Sequence, residues 1–293
     1  MSATLIFSNT VSPYNELLSY EYLYSQENVT RNVLVELFSK QRDSLPSEVL
    51  NDYSGLFGAE ESLMSEIESF LDKKLTFSIL VEGTPHFPEK LKDASNSLPV
   101  FYYKGYIDLI GTPSISIVGA RKASPEGKEC ARMLTKRLVD EGFTIVTGLA
   151  AGIDTAAMVK CIEMGGNAIG VIGTPIDQYY PKENRELQDT VASKGLLISQ
   201  VPLYRYEHQP FETRKYYFLE RNITMAALSD ATVIIEAGEA SGTRTQAKAC
   251  VEQKRKLIIY DSVLKSVKWA EQYLEKGAFR ANTVEDVIQA LRA

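Results

Sequence analysis

Five segments at the carboxyl ends of predicted strands carry glycines or hydroxyl and basic side chains, which are suited to binding phosphate. Glycine lets a backbone N–H group approach a phosphate closely, and a helix that begins in such a turn directs its first N–H groups toward an anion. The turns are GARKAS (119–124), GLAAGID (148–154), GTPIDQYYPKEN (173–184), residues 200–222, and EAGEASGTRTQ (236–246). Glycines also end strands in most proteins. Only the convergence of several such turns on one edge of a sheet predicts a phosphate or nucleic-acid site.

The candidate binding residues are the glycines, hydroxyls and cations of these turns. The backbone and hydroxyl candidates are Gly119, Ser124, Gly148, Gly152, Ser241, Gly242 and Thr243. The basic candidates are Arg121, Lys215, Arg221 and Arg244, because each lies in a turn or at a helix start on the predicted ligand side. Other basic runs, such as 254–256, are expected to cover solvated helix faces.

Strand and helix patterns position the first two of these turns. Ser114–Val118 is a short β-branched run, typical of a buried parallel strand. Ser124 then supplies a helix-capping hydroxyl and is followed by Pro125 at the first helical position. A second strand, Thr144–Thr147, leads into the next turn, where Asp154 is expected to cap the following helix. Both turns therefore lie at the carboxyl ends of neighbouring parallel strands, where open α/β sheets bind phosphate.

The same alternation of strand and helix continues along the chain and predicts an α/β fold with a doubly wound, mostly parallel, extended Rossmann-like sheet. The helical stretches between the strands have about the length of a crossover connection, and such crossovers are right-handed. The predicted strands are Ser114–Val118, Thr144–Thr147, Ala168–Ile172, Leu196–Ser199, Thr232–Ile235 and Leu257–Tyr260.

Three parts are expected along the chain. Residues 1–74 have helical spacing of apolar side chains and predict a small N-terminal helical domain. Residues 75–262 contain two further short strand patterns (Phe77–Val81 and Pro99–Lys104) and the α/β domain. Residues 263–293 predict a short helical tail.

Composition excludes several classes of protein. The 293 residues are 44% hydrophobic and 24% charged, as in ordinary globular proteins, and the net charge of −6 argues mildly against a nucleic-acid binder. His86 and His208 each lack a second ligand nearby in the sequence, so neither a metal site nor a cofactor is predicted. The sequence begins with no signal-peptide pattern, and no apolar run approaches the ~18 residues of a membrane span. We therefore expect a cytoplasmic protein with no membrane contact.

The motifs of common nucleotide enzymes are absent. Gly119 is followed by Ala-Arg-Lys rather than by the further glycines of a dinucleotide-binding GxGxxG turn, and there is no GxxxxGK[ST] phosphate-binding loop. Neither histidine lies in the sequence context of a Ser-His-Asp hydrolase.

Several ordered motifs resemble those of the DprA/Smf family of DNA-processing proteins, over about Phe77 to Lys256. IVGARKASPEG is similar to the family's G-S-R-x-x-S-x-x-G turn, and TGLAAGIDTAAM resembles S-G-L-A-x-G-I-D-x-x-A-H. GTPIDQYYPKEN resembles G-x-G-L-D-x-x-Y-P-x-x-N. The motifs PHFPEKLKD…LPVFYYKG, SQVP, FLERN and IIEAGEASGTRTQAKACVEQKRK complete the series in the family's order.

The resemblance implies an extended Rossmann-like protein that binds and protects single-stranded DNA and helps to load a RecA-type recombinase, usually as a homodimer. Such activity serves DNA recombination or uptake in natural transformation. Carried over by position, Arg121 would grip a backbone phosphate near the amides of Gly119 and Gly148. Lys215 and Arg221 would add positive charge, and Phe218 would offer a ring to a base. Ordinary core packing of Phe218 is an equal alternative.

The sequence departs from the family pattern at several positions. Met158 stands in place of His, Ile223 in place of Arg, Gln246 in place of Thr, and Tyr260-Asp261 in place of Pro-Gly. The C-terminal winged helix of many members is not expected. The pathway in which the chain acts, whether transformation, repair or defence, stays open.

A nucleotide sensor or a phosphoribohydrolase-like enzyme on the same kind of fold is the alternative function. The related hydrolases carry P-G-G-x-G-T-x-x-E, whose Glu serves catalysis, whereas this sequence has Gln246 at that position. Because an amide cannot act as a general base, hydrolysis is disfavoured. Asp154 and Glu236 remain as nearby carboxylates, and sensing a nucleotide without chemistry is unaffected by this objection.

Overall fold

The computed structural model describes residues 11–41, 44–53, 61–84, 87–92, 98–239 and 241–293. His86, one of the two histidines considered above, lies outside these residues. The described strands are β1 (Ser78–Val81), β2 (Val100–Gly105), β3 (Ser114–Val118), β4 (Thr144–Thr147), β5 (Ala168–Ile172), β6 (Leu196–Ser199), β7 (Ala231–Ile234), β8 (Lys256–Tyr260) and β9 (Phe279–Ala281).

The described helices lie on both faces of the sheet and beyond its ends. They are α1 (Pro13–Ser25), α2 (Arg31–Lys40), α3 (Pro46–Asp52), α4 (Glu61–Asp72), α5 (Glu89–Lys92), α6 (Pro125–Asp140), α7 (Ile153–Glu163), α8 (Arg185–Lys194), α9 (Leu203–His208), α10 (Lys215–Leu228), α11 (Thr243–Glu252), α12 (Asp261–Ser266), α13 (Glu271–Leu274) and α14 (Val284–Arg292). Short 3₁₀ turns span Ile107–Gly111, Lys182–Asn184 and Phe211–Arg214. Among the described helices, none is both long and apolar enough to cross a bilayer.

The described strands form one sheet in the order β1-β2-β6-β5-β4-β3-β7-β8-β9. Strands β3 to β9 pair in parallel, whereas β2 joins β1 and β6 antiparallel. The α/β class with a mostly parallel sheet is thus confirmed. Because the chain proceeds from β3 outward to β6 and then returns to place β7 on the other side of β3, the order reverses between β3 and β7. Open α/β sheets bind ligands at such a switch point.

The central strands agree closely with the sequence patterns. Four of the six have the predicted bounds, and β7 and β8 each begin one residue earlier than predicted. Their side chains are almost all buried, as expected for parallel strands covered on both faces. The predicted cap of α6 is confirmed, since the Ser124 hydroxyl accepts a hydrogen bond from the Gly127 N–H at 2.9 Å and Pro125 is the first helical residue.

The N-terminal helices are joined to the rest of the fold through a buried carboxylate of α1. Glu21 is fully buried and accepts hydrogen bonds from the Tyr102 hydroxyl (2.6 Å), the Leu203 N–H (2.8 Å) and the Tyr204 N–H (3.1 Å). It therefore ties α1 both to strand β2 and to the start of α9. Burial raises the pKa of Glu21 to about 7, against the opposing effect of these three hydrogen bonds.

The C-terminal part contributes a strand that the sequence patterns did not predict. Helices α12, α13 and α14 lie in the region expected to be helical, but Phe279–Ala281 pairs in parallel with β8 as the last strand of the sheet. Three residues are too few to show the alternation by which strands are predicted. Pairing with β8 is what makes this segment extended.

Candidate nucleic-acid interface

A cleft of about 580 Å³ opens at the carboxyl ends of β3 and β7, where the strand order reverses. Eight of the twelve predicted site residues line it, from two of the predicted turns (119–124 and 236–246) and from helix α10, which belongs to the predicted segment 200–222. They are Gly119, Arg121, Lys215, Phe218, Arg221, Ser241, Gly242 and Thr243. The predicted convergence of several turns on one crevice is thus present in the fold.

The outer part of the cleft carries a cation and two aromatic rings in contact. The Arg121 guanidinium lies over the Phe218 ring, with its carbon 5.6 Å from the ring centroid. Tyr180 also packs on Phe218, with ring centroids 4.9 Å apart and an angle of 57° between the ring planes. Arg121 is exposed, Phe218 is half-buried and Tyr180 is 47% exposed. Both a positive charge and aromatic surface therefore face solvent at this point.

Phe218 takes its position because a glycine, Gly173, directly follows strand β5. Phe218 belongs to the first turn of α10, which passes over Gly173. A Cβ atom added at Gly173 would lie 2.6 Å from Cδ1 of Phe218 and 3.1 Å from its Cα. Because residue 173 has no side chain, α10 can approach the sheet closely, and this close approach determines where the Phe218 ring lies in the cleft.

Arg221, predicted as an additional free charge, forms the floor of the cleft instead. Its side chain is 4% exposed, and it donates to the carbonyl oxygens of Gly148 and Val171 and to the Asn222 side chain. Burial lowers the pKa of Arg221 to about 10, with the Asp154 carboxylate opposing this and Arg121 adding to it. Because its donors bind backbone at the ends of β4 and β5, Arg221 organises the turns rather than offering a free guanidinium.

Asp154 also differs from its predicted role as a helix cap. The residue at the cap of α7 is Gly152, and the Asp154 carboxylate accepts a hydrogen bond from the Gly148 N–H at 2.9 Å. Burial raises the pKa of Asp154, while Arg221 and the N–H groups of Gly148, Ala150 and Gly119 lower it. The Asp154 carboxylate therefore accepts hydrogen bonds from turn N–H groups that were predicted to bind phosphate. Gly148 itself lies beneath the cleft and does not line it.

The N-terminus of α11 forms the opposite wall of the cleft. Ser241, Gly242 and Thr243 line it, and the Ser241 Oγ accepts hydrogen bonds from the Thr243 N–H (3.3 Å) and hydroxyl (2.8 Å). The Asn222 side chain donates to the Gly242 carbonyl at 2.9 Å, so that α10 holds this wall in place. Asn222 therefore fixes this turn.

The remaining predicted residues lie apart from the cleft. Ser124 caps α6, and its N–H and hydroxyl donate to the Glu236 carboxylate at 3.1 Å and 2.9 Å. Gly152 lies under the backbone of Ala120. Arg244 points to a separate shallow groove that includes Lys248 and Tyr273.

Tyr180 is the main cleft residue that was not predicted. It lies in the turn GTPIDQYYPKEN, which was recognised as a motif, but nothing in the sequence shows that this turn reaches Phe218 on another helix. Leu219 and Gly238 also line the cleft. Leu219 belongs to α10, whereas Gly238 lies in the segment between β7 and α11.

The acidic and amide side chains of the cleft are held by internal contacts. Among the lining residues that the structure describes, Asp154 carries the one carboxylate, and it is engaged by turn amides and by the charge of Arg221. Gln246 is 1% exposed and its amide donates to the Thr232 hydroxyl at 3.4 Å, toward the core. Within the described ranges, no cluster of three metal-ligating side chains is present.

Comparisons with known proteins give a consistent result. The family model described as DNA recombination-mediator protein A matches residues 78–292. Protein Smf of Synechocystis sp. is 36% identical over 180 residues, which are 60% of this chain and 44% of that protein, so this chain spans less than half of that relative. The DNA processing protein DprA of Streptococcus pneumoniae is 32% identical over 215 residues, 73% of each protein.

Solved structures extend the likeness to the whole fold. The crystal structure of Streptococcus pneumoniae DprA has a TM-score of 0.73 and 26% identity, covering 96% of this chain and 98% of that one. DNA processing protein A from Helicobacter pylori was solved to describe how that protein binds single-stranded DNA. Its structure has a TM-score of 0.63 and 25% identity to this chain. It covers 74% of this chain and 96% of the other. With a family model matching most of its length, the chain belongs to the DNA recombination-mediator protein A family, the DprA/Smf proteins.

Proposed function

We propose that this chain binds single-stranded DNA, without chemically altering it, in the cleft between the ends of β3 and β7. The observation that carries the proposal is the exposed stack of Arg121, Phe218 and Tyr180 at the mouth of this cleft. Cations that follow a sugar-phosphate backbone and rings that stack on bases are the two components of single-strand binding sites. Relatives named DNA processing protein, and the single-stranded DNA binding of the Helicobacter pylori protein, support the same reading.

Each part of the cleft has a role in this proposal. Arg121 and the exposed Lys215 neutralise phosphates, and the Gly242 N–H at the start of α11 donates a hydrogen bond to a further phosphate oxygen. Phe218 and Tyr180 stack on unpaired bases. Because bases in a duplex already stack on one another, the rings favour a single strand over a duplex.

The absence of a free general base among the described lining residues supports a binding protein rather than an enzyme. In the wider role we propose, the chain protects single strands and assists the loading of a RecA-type recombinase in DNA recombination or uptake, in the cytoplasm and as a homodimer. The helices of residues 1–74 and 263–293 then flank a strand-binding domain of residues 75–262.

The test is fluorescence anisotropy with labelled oligo-dT at several salt concentrations, for the wild type, Arg121→Ala and Lys136→Ala. Lys136 is the matched control, because it lies exposed on α6 and pairs with Asp140. We expect binding that weakens with salt, and a slope of log K against log salt that is flatter by about 0.7 in Arg121→Ala alone.

An equal effect of both substitutions would contradict the proposed site. No binding of oligo-dT at low salt would reject the function, and a thermal-shift screen with nucleotides would then test the nucleotide-sensor alternative.

A further inference from the structure

A second aromatic residue stands exposed next to the cleft, outside the residues that line it. Phe211 is 76% exposed, in the 3₁₀ turn Phe211–Arg214 that leads directly into α10. The Arg214 guanidinium lies on this ring, with its carbon 5.6 Å from the ring centroid. A single exposed ring is common on protein surfaces, but an exposed ring with a cation on its face repeats the arrangement of Phe218 and Arg121.

The backbone places the two rings on one side of a continuous helical segment. Arg214 and Lys215 both have right-handed helical angles, so the 3₁₀ turn and α10 join without a break. Three residues complete one 3₁₀ turn, and four more complete slightly over one α-helical turn. Phe218 thus lies about 12 Å along the axis from Phe211. This exceeds the ~3.4 Å spacing of stacked bases, so the two rings contact different nucleotides.

Each of the two pairs of phenylalanine and arginine has a tyrosine ring beside it. Arg214 also lies over the ring of Tyr206 at 4.5 Å. Tyr180 packs on Phe218. Each end of this segment therefore carries an arginine on a phenylalanine ring, with a tyrosine ring in contact with the pair.

We propose that Phe211, held by Arg214, is a second base-stacking position for the same DNA strand after it leaves the cleft. The inference rests on the proposed function. Arg214 supplies positive charge beside the Phe211 ring. The acidic neighbour Glu212 is the next residue, and its position is rotated by about 120° from that of Phe211 around the axis of the 3₁₀ turn. The strand then runs along the N-terminal end of α10 in an extended form, with successive bases on separate rings.

The test uses tryptophan as a reporter of stacking. The chain has a single tryptophan, Trp269, which is 5% exposed and gives a constant background. In Phe211→Trp, we expect oligo-dT to quench the new emission, because a base stacked on an indole quenches it. Tyr106→Trp is the matched control. Tyr106 is 62% exposed, and its N–H bonds to Gly195 at the amino end of the parallel strands, the edge opposite the cleft.

Affinity provides the second measurement. We expect Phe211→Ala to weaken binding of an oligo-dT of about 20 nucleotides by about 5- to 150-fold, the range of one lost stacked base, and Tyr106→Ala to leave it within about twofold. Binding that depends on Arg121 but neither quenches Phe211→Trp nor responds to Phe211→Ala would overturn the inference and leave the proposed function standing. If the wild type does not bind oligo-dT at all, both this inference and the proposed function are rejected.

Discussion

The guanidinium of Arg221 is held directly against the backbone of Gly148. Its Nη1 donates to the Gly148 carbonyl oxygen at 2.5 Å and to the Val171 carbonyl oxygen at 2.8 Å. A Cβ atom added at Gly148 would lie 1.6 Å from that nitrogen. The arginine therefore occupies the space that a side chain at 148 would need, and it joins α10 to the ends of β4 and β5. An apparent phosphate-binding cation is here part of the scaffold of the site.

Arg221→Met is therefore expected to reduce stability strongly. The substitution keeps much of the side-chain length but leaves the buried Asp154 carboxylate without its positive neighbour and two carbonyl oxygens without a donor. Breaking a buried charge pair in this way costs about 3–5 kcal/mol. Urea unfolding followed by circular dichroism measures the loss. Arg132→Met is the control, because Arg132 is exposed on α6 and pairs with Glu129. Equal midpoints for the two variants would refute the scaffold role.

Gly173→Ala is expected to weaken single-strand binding by displacing Phe218. The added methyl group would lie 2.6 Å from Cδ1 of the ring and 3.1 Å from the Phe218 Cα, so the first turn of α10 must shift outward. Oligo-dT affinity, measured by anisotropy, should fall by about tenfold or more, in line with the loss of one stacked base.

Gly111→Ala provides the control for this substitution. No atom of the described residues lies within 4 Å of a Cβ added there, and we expect both affinity and melting temperature to stay near those of the wild type. Unchanged affinity in Gly173→Ala, with the protein folded, would show that the position of Phe218 is not important for binding.

The strands of the central sheet could be predicted from sequence because each strand pattern depends only on residues that are close together in the chain. Runs such as Ser114–Val118 are short and rich in β-branched residues, and the cap at Ser124 needs only residues 124–127. The role of Arg221 could not be predicted in this way. Whether a basic residue faces solvent or the ends of two strands depends on how α10 packs, and that packing depends on Gly173, about fifty residues earlier in the chain.

Asp154 illustrates the same limit over a shorter distance. Its position at the start of α7 is typical of a capping residue, but its hydrogen bond goes back to Gly148, in the turn. The buried guanidinium of Arg221 favours a carboxylate that points into the turn. Asp154 could cap α7 locally or pair with the distant Arg221, and the tertiary structure favours the pairing with Arg221.

Phe218→Leu separates the two readings of Phe218 that the sequence left open. Leucine keeps most of the apolar volume but has no ring to stack on a base or to hold Arg121. We expect a loss of oligo-dT affinity of about 5- to 150-fold with a change in melting temperature of only a few degrees, because the ring is half-buried at the surface. A large fall in melting temperature with unchanged affinity would identify Phe218 as a core residue.

The junction between the N-terminal helices and α10 should make stability depend on pH. Glu220 follows Phe218 by two residues, and its Oε2 lies 3.7 Å from Nε of Arg31 on α2. Burial raises the pKa of Glu220 from 4.5 to about 7, against the lowering effects of Arg31, Gln200 and Arg205. The folded state therefore binds a proton more tightly than the unfolded chain, and this contribution to stability is complete below about pH 4.5 and is lost as the pH rises through 7.

Glu220→Gln should remove this dependence, because the amide resembles the protonated acid and does not titrate. We expect the stability of Glu220→Gln relative to the wild type to increase between pH 5 and pH 8 by roughly 1–3 kcal/mol. Urea unfolding at several pH values measures this difference, and comparing the two proteins cancels the contribution of Glu21, which both share. Glu285→Gln, at an exposed position on α14, is the control and should show a difference independent of pH. A constant difference for Glu220→Gln as well would mean that Glu220 is ionised in the folded protein throughout this range, with Arg31 and Arg205 outweighing the effect of burial.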